Sequence, residues 1–131
     1  MVDPGFLAVY EEGKDQATED DADEGRRLPA MAKGDRPYNK DEAVRAATFV
    51  NQLLAMSWDA FAPGTDTGAP TKAKPEIWKE PAKFKQLADA AQAESLKLVA
   101  AAQAGDLAAL RPAVGAMGKS CNNCHDDFQS K

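Results

Sequence analysis

Apolar residues recur every three or four positions along three long stretches of the chain, and this spacing predicts helices. The stretches cover roughly residues 40–56, 82–103 and 107–129. Side chains spaced in this way lie on one face of a helix, which can then pack on a core. The third stretch has the longest seam, although Pro112 predicts either a kink or a later start of its main part. Its apolar positions are Leu107, Leu110, Val114, Met117, Cys121, Cys124 and Phe128.

Capping residues and helix breakers separate these stretches. Asn39 is placed to cap the first predicted helix, and Glu42, three residues later, has the spacing of a capping box. Residues 62–74 form a loop rich in Pro and Gly. Gly105 is expected to end the next helix, and Asp106 is expected to cap the last one.

The first 27 residues lack an apolar stripe, and their charge differs from that of the remainder. They hold nine acidic and three basic side chains, whereas residues 28–131 hold twelve acidic and thirteen basic ones. This atypical acidic segment is predicted to be a solvated helix or poorly ordered chain, and an acidic docking surface is the alternative. The ordered body is predicted to begin at Leu28. Because that body is nearly neutral, no nucleic-acid partner is indicated.

The length and composition of the chain indicate its broad class. A chain of 131 residues predicts a single domain over residues 1–131. Abundant alanine and the lack of β-branched runs favour an all-α fold. No apolar run approaches the roughly 20 residues of a membrane span. The first residues do not show the basic and apolar regions of a signal peptide.

Cys121, Cys124 and His125 form the pattern Cys-x-x-Cys-His, which is typical of covalent haem attachment. Each thiol adds to one vinyl group of the haem, which gives two thioether bonds. The three-residue offset places both cysteines on one face of a helix, about one turn apart. The adjacent imidazole can then bind the iron from one side. We therefore expect one covalent haem c per chain, with His125 as the metal ligand.

Other interpretations of the cysteine pair fit less well. A zinc site needs four ligands, and the chain has only two cysteines and one histidine. A carboxylate or a second chain would have to complete such a site. A thioredoxin-like disulfide needs a βαβ context, which the pattern does not show. An inert structural pair, in a helical protein without haem, is the remaining alternative.

Two glycines and two tryptophans each have two interpretations. Gly115 and Gly118 leave little bulk just before the cysteines, so they either let a flat porphyrin approach or allow close helix packing. Trp58 and Trp78 are expected to anchor the core or a loop rather than to contact a cofactor.

Several short motifs, taken in order, resemble those of class II c-type cytochromes, and specifically the cytochromes c prime. The resemblance covers about residues 28–131. Its haem motif lies near the C-terminus, whereas class I cytochromes carry theirs near the other end. The matching segments are residues 30–34, 37–38, 61–66, 74–78, 84–85, 104–107 and 118–128.

This resemblance implies an antiparallel four-helix bundle with a covalent haem near the C-terminal helix. It implies that Cys121 and Cys124 hold the haem, that His125 is the proximal ligand, and that a high-spin iron has an open sixth position. Members of the family bind diatomic gases such as nitric oxide and carbon monoxide, and they are linked to electron transfer. A homodimer in the bacterial periplasm is also implied, and its redox partner protein is unknown.

The chain departs from the family pattern in two places. The first helix of the family normally supplies an apolar residue over the open face of the iron and an arginine near a haem propionate. Residues 12–27 are acidic instead, so the distal pocket and the dimer surface are expected to differ. The family often has Arg or Lys four residues after the histidine, and Gln129 stands there in this chain.

The residue types also restrict the sixth ligand of the iron. His125 is the only histidine, so two histidines of one chain cannot bind it. None of the methionines, which are Met1, Met31, Met56 and Met117, is well placed in a first helix. An open or water-bound iron is therefore predicted, and a low-spin six-coordinate electron-transfer cytochrome is the alternative. No enzyme is predicted, because the only histidine is already used and no other acid–base pair is apparent.

Overall fold

The computed structural model describes residues 24–68 and 70–130. Within them the chain is helical, and its β-pairing is limited to an isolated antiparallel bridge between Ala73 and Gln129. This confirms the all-α prediction. The helices are α1 Glu24–Lys33, α2 Lys40–Ser57, α3 Glu76–Lys79, α4 Pro81–Gln103 and α5 Leu107–Phe128, with a 3₁₀ turn at Trp58–Phe61.

The acidic segment lies mostly outside the described residues. Within the described residues, α1 spans Glu24–Lys33 and so includes residues 24–27 of this segment. The prediction of a solvated or poorly ordered segment otherwise concerns residues 1–23, which the structure does not describe.

Four of the helices contact one another in a closed ring. Helix α1 packs on α2 and α5, α2 packs on α4, and α4 packs on α5. Short connections at residues 34–39 and 104–106 join helices that are neighbours in this ring, so the helices of each pair run antiparallel. The fold is therefore the expected antiparallel four-helix bundle.

The start of α2 is capped as predicted, but its capping box is incomplete. The side-chain oxygen of Asn39 accepts a hydrogen bond from the backbone N–H of Glu42 at 3.0 Å. The carboxylate of Glu42 is directed to Arg36 instead of to the cap residue, with a distance of 3.1 Å to Arg36 Nε. The loop before α2 is therefore tied to the first turn of the helix by an ion pair.

The turn between α4 and α5 also follows the prediction. Gly105 has a φ of +72°, a conformation that favours glycine, and it lies just after α4. The side chain of Asp106 caps α5 by accepting a hydrogen bond from the N–H of Ala108 at 2.9 Å. Helix α5 begins at Leu107 and includes Pro112, so the proline does not mark a later start.

Two clusters of buried side chains form the interior. The smaller one, here called the aromatic cluster, contains Ile77, Phe84, Cys124 and Phe128, with Trp58, Phe61 and Trp78 partly buried around them. The larger one fills the space between the four helices, and small alanines on α2 let those helices approach closely. Its members are Leu28, Met31, Ala43, Ala46, Ala47, Ala91, Leu98, Ala102, Leu110 and Met117.

Candidate haem-binding site

The three residues of the motif lie together in the last turns of α5. Cys121 is half-buried and packs against the larger cluster, whereas Cys124 is only 4% exposed and belongs to the aromatic cluster. The side chain of His125 is exposed. Both cysteines are free thiols. The helix thus places two thiols on its inner side and an accessible imidazole next to the second one.

Phe84 is the centre of the aromatic cluster. Its ring centroid lies 4.9 Å from that of Phe61, 5.3 Å from that of Phe128 and 6.1 Å from that of Trp58. Tilted and edge-on pairs at such distances are favourable because ring edges meet ring faces. These rings come from the 3₁₀ turn, α4 and α5, so the cluster joins three segments of the chain beside Cys124.

The end of α5 is fastened to the loop before α3. The backbone N–H of Lys74 donates to the carbonyl of Phe128 at 2.9 Å, and that of Ser130 donates to the carbonyl of Lys72 at 2.7 Å. Between these two bonds Gln129 forms the bridge with Ala73. Gln129, which replaces the basic residue common in the family, therefore lies in a short paired segment directly after the motif helix.

A lysine in the first turn of α4 contacts the last turn of α5. Lys83 Nζ lies 3.4 Å from a carboxylate oxygen of Asp127 and 5.8 Å from the ring centroid of Phe128. Both partners of the ion pair are about half exposed, so solvent screens it. Together, the ion pair and the ring contact link α4 to the last turn of α5.

Burial controls the protonation of the motif. It raises the pKa of the Cys121 thiol, and it raises that of Cys124 to about 11, with the negative charges of Cys121 and Asp127 adding to the effect. Loss of hydration lowers the pKa of His125. Near neutral pH the site therefore has two neutral thiols and a neutral imidazole, and a neutral imidazole can offer a ring nitrogen to a metal.

A cavity of about 550 Å³ lies next to the aromatic cluster. Its walls include Trp58, Phe61, Ile77, Trp78 and Phe84, and the polar side chains at its edge are Asp66, Lys85 and Asp89. Cys121, Cys124 and His125 do not line it. Ile77 and Phe84 belong both to the cavity wall and to the aromatic cluster that contains Cys124.

The residues present suit a covalently held haem better than a zinc ion. Among the described residues, no group of three or more His, Cys, Asp and Glu side chains could hold a metal ion. The paired thiols and the adjacent imidazole supply what covalent haem attachment needs, and apolar rings surround the second thiol. The donor set therefore fits haem c.

The described methionines lie outside the aromatic cluster. Met31 and Met117 are buried in the larger cluster, and Met56 is 72% exposed at the end of α2. Met1 lies outside the described residues. No described methionine belongs to the aromatic cluster that surrounds Cys124.

The structure distinguishes the interpretations of the glycines and tryptophans. A Cβ added to Gly115 or Gly118 would meet no described atom within 4 Å, so close packing of the described helices does not explain these residues. Both tryptophans are anchors, as predicted. The indole N–H of Trp58 donates to Gln92, and that of Trp78 donates to the carbonyl of Ala62 at 3.2 Å.

A family model for Cytochrome C' matches residues 9–129. The match begins well before residue 28, so it also includes most of the acidic segment that the motif-by-motif resemblance omitted. The chain is 42% identical to cytochrome c' of Rubrivivax gelatinosus, over 80% of this chain and 81% of the relative. It is 43% identical to cytochrome c' of Alcaligenes xylosoxydans xylosoxydans, over 80% of each chain.

Solved structures that are similar to this chain also come from cytochromes c'. The crystal structure of cytochrome c' from Rubrivivax gelatinosus has a TM-score of 0.79 and 40% sequence identity, covering 83% of this chain and 85% of that one. A nitric oxide complex of a cytochrome c prime mutant from Alcaligenes xylosoxidans has a TM-score of 0.76 and 42% identity, covering 84% of each chain. Proteins of this family carry covalent haem c, for which this chain has the two cysteines. The chain belongs to the cytochrome c' family.

Proposed function

We propose that the chain is a single cytochrome c'-like domain in which Cys121 and Cys124 hold one haem c and His125 is the iron ligand. The observation that carries this proposal is the position of Cys124. Its thiol is buried among apolar rings at the end of a helix that presents the next residue, His125, to solvent. When bound, haem c supplies an iron that can bind diatomic gases or carry electrons.

Each residue of the site has a separate task in this proposal. The thiols of Cys121 and Cys124 fix the group at two points on successive turns of α5. The neutral imidazole of His125 offers a ring nitrogen, and no competing proton has to leave it. The paired segment around Gln129 and the ion pair of Lys83 keep the last turn of α5 in place.

The proposal includes a five-coordinate, high-spin iron that binds nitric oxide or carbon monoxide. Support comes from the residues available as a sixth ligand. The sequence has one histidine, and the described methionines are either buried in the larger cluster or exposed at the end of α2. The nitric oxide complex of the Alcaligenes relative supports the choice of gas. Electron transfer to a partner protein is a second use of the same iron.

The remaining parts of the proposal concern location and partners. We expect a periplasmic protein, because covalent haem attachment usually takes place outside the cytoplasm, and we expect a homodimer. None of the described helices has the length and apolar character needed to span a membrane. We expect no nucleic-acid partner, because residues 28–131 are nearly neutral. We also expect no enzymatic role, since the only histidine of the sequence is assigned to the iron.

An optical spectrum of the purified holoprotein tests the proposal. The ferric and ferrous forms are recorded before and after addition of carbon monoxide or nitric oxide. A high-spin ferrous spectrum that shifts with the gas is expected. A low-spin spectrum that ignores the gas would show that a side chain occupies the sixth position, and it would favour the electron-transfer alternative.

Substitutions in the motif test the roles of the residues. Cys121→Ser and Cys124→Ser should each leave one thioether, which keeps the haem attached but changes its absorption spectrum when the protein is denatured in alkaline pyridine. His125→Ala should keep the attached haem but lose the imidazole ligand. Asn123→Ala, at an exposed position inside the motif, is the matched control. Haem that survives denaturation in a double cysteine-to-serine protein would contradict the proposed attachment.

A further inference from the structure

A small hydrogen-bond network connects α2 and α4 near the aromatic cluster. The indole N–H of Trp58 donates to the side-chain oxygen of Gln92 at 3.0 Å, and the amide nitrogen of Gln92 donates to the carbonyl of Asn51 at 3.2 Å. The amide of Asn51 donates to the hydroxyl of Ser95 at 2.9 Å, and that hydroxyl donates to the carbonyl of Gln92 at 2.7 Å. Ser95 is completely buried, so this network lies partly inside the bundle.

The network holds Trp58 through a single bond. An indole has one N–H donor and no acceptor, so its orientation depends on the one partner that it finds. The ring of Trp58 then meets Phe84 edge-on, with 6.1 Å between centroids and an angle of 79°. Phe84 in turn packs on Phe128 and belongs to the cluster around Cys124. A short chain of contacts thus leads from Gln92 to the second thiol of the motif.

We infer that Gln92 is a positioning residue for the haem surroundings. By accepting from the Trp58 indole, it fixes the aromatic ring that supports Phe84 beside Cys124. This inference rests on the proposed function, because it assigns to Gln92 an effect on a haem held at Cys124. It differs from a plain packing role, in which Gln92 would only join α4 to α2 through Asn51.

Substitutions at Gln92 separate its two roles, because its acceptor faces Trp58, whereas its donor faces the carbonyl of Asn51 at 3.2 Å and the hydroxyl of Ser95 at 3.5 Å. Gln92→Met has a similar length and removes both the acceptor and the donor. Gln92→Glu keeps an acceptor for the indole but loses the donor to the Asn51 carbonyl. Ser95→Ala is the matched control, since it removes the buried hydroxyl on the donor side of Gln92 and leaves the acceptor of Trp58 in place.

The experiment uses the holoprotein labelled with ¹⁵N and held in the ferrous, carbon monoxide-bound form. Hydrogen exchange of the Trp58 indole N–H is followed by NMR, and its signal is assigned from Trp58→Phe. The carbon monoxide dissociation rate is measured on the same samples. Gln92→Met should speed the indole exchange about tenfold, as loss of one hydrogen bond allows, and should change the dissociation rate about threefold or more.

The variants Gln92→Glu and Ser95→Ala are compared with Gln92→Met in the same two measurements. Gln92→Glu should keep slow indole exchange and an almost unchanged gas dissociation rate, even if it unfolds at a lower temperature. Ser95→Ala should lower the unfolding temperature without moving either signal. Unchanged indole exchange in Gln92→Met would overturn the inference. It would also be overturned if Ser95→Ala altered gas dissociation as strongly as Gln92→Met.

Failure of the proposed function is visible separately, in the unsubstituted protein. A chain without attached haem would end both proposals. A chain that holds haem but ignores carbon monoxide would end only the open-site proposal. In that case the low-spin ferrous protein still serves for the indole exchange, and the haem absorption bands replace gas dissociation as the second measurement. If Gln92→Met does not fold, Trp58→Phe replaces it, because it removes the same bond. Gas dissociation is then compared between Trp58→Phe and Ser95→Ala, and equal effects in the two variants would overturn the inference.

Discussion

The ring of Phe84 meets the ring of Phe128 edge-on, with the two centroids 5.3 Å apart and the ring planes at 88°. Phe84 belongs to α4 and Phe128 to the last turn of α5. This contact brings the end of the motif helix against the neighbouring helix, and both rings share a buried cluster with Cys124. It is therefore both a packing contact of the bundle and part of the candidate site.

Phe84→Ala should destabilise the protein strongly. Removal of a large buried ring from a cluster costs about 3–5 kcal/mol, and here it also leaves Trp58, Phe61 and Phe128 without a common partner. Urea unfolding of the holoprotein measures the loss. Leu96→Ala is the control, because Leu96 lies on the same helix and is 59% exposed. Equal losses in the two proteins would contradict a central role for Phe84.

Asn39→Ala should lower the stability by about 1 kcal/mol, which is typical for loss of a side-chain cap. The cap is the 3.0 Å hydrogen bond from the N–H of Glu42. Asn39→Asp keeps an acceptor at the same place and should be close to the unsubstituted protein. Thermal unfolding of the three proteins at neutral pH provides the comparison. An unchanged unfolding temperature in Asn39→Ala would show that α2 does not depend on this cap.

Glu42→Gln should reduce stability at neutral pH but not in acid. The hydrogen bond from Arg36 lowers the pKa of the Glu42 carboxyl below its ordinary value of 4.5. A carboxyl with a lowered pKa in the folded state stabilises the protein above its unfolded-state pKa, and this contribution is lost as the pH falls through the folded-state pKa. The difference in unfolding free energy between Glu42→Gln and the unsubstituted protein should therefore shrink as the pH is lowered from neutral to below 4.5. A constant difference across the range would exclude the ionic contribution.

Tyr38→Phe should leave the protein equally stable or make it more stable by about 1 kcal/mol. The hydroxyl of Tyr38 is buried and meets no hydrogen-bond partner within the described part of the chain, and a buried unpaired polar atom costs free energy. The ring itself packs against the larger cluster. Tyr38→Ala, which removes that packing, should be clearly less stable. A loss of stability in Tyr38→Phe would reveal a partner for the hydroxyl.

The sequence predicts the helices of this protein well because their signals are local. The seam of α5 appears in the spacing from Leu107 to Phe128, and the cap of α2 appears in Asn39 and the residues that follow. The partner of the Glu42 carboxylate could not be predicted from local sequence signals. Arg36 lies in the preceding loop, and only the folded loop brings the two side chains together.

The surroundings of the candidate site could not be predicted in the same way. The spacing places Phe128 in the apolar seam of α5, but its contact with Phe84 depends on how α4 crosses α5. Gln92 gave no signal at all, because a glutamine on a helix is usually solvated surface. Its role becomes visible only when Trp58, at the end of another helix, turns its indole N–H towards it.

The fastening of α5 also bears on the order in which the chain reacts and folds. The bonds between Ser130 and Lys72 join residues 58 positions apart, so they cannot form on a growing chain until Ser130 has been made. Closing so long a loop has an entropic cost that local helix formation does not have. In the folded protein the side chain of Cys124 is only 4% exposed. Its thiol is therefore more accessible to a thiol reagent in the unfolded chain than in the closed bundle.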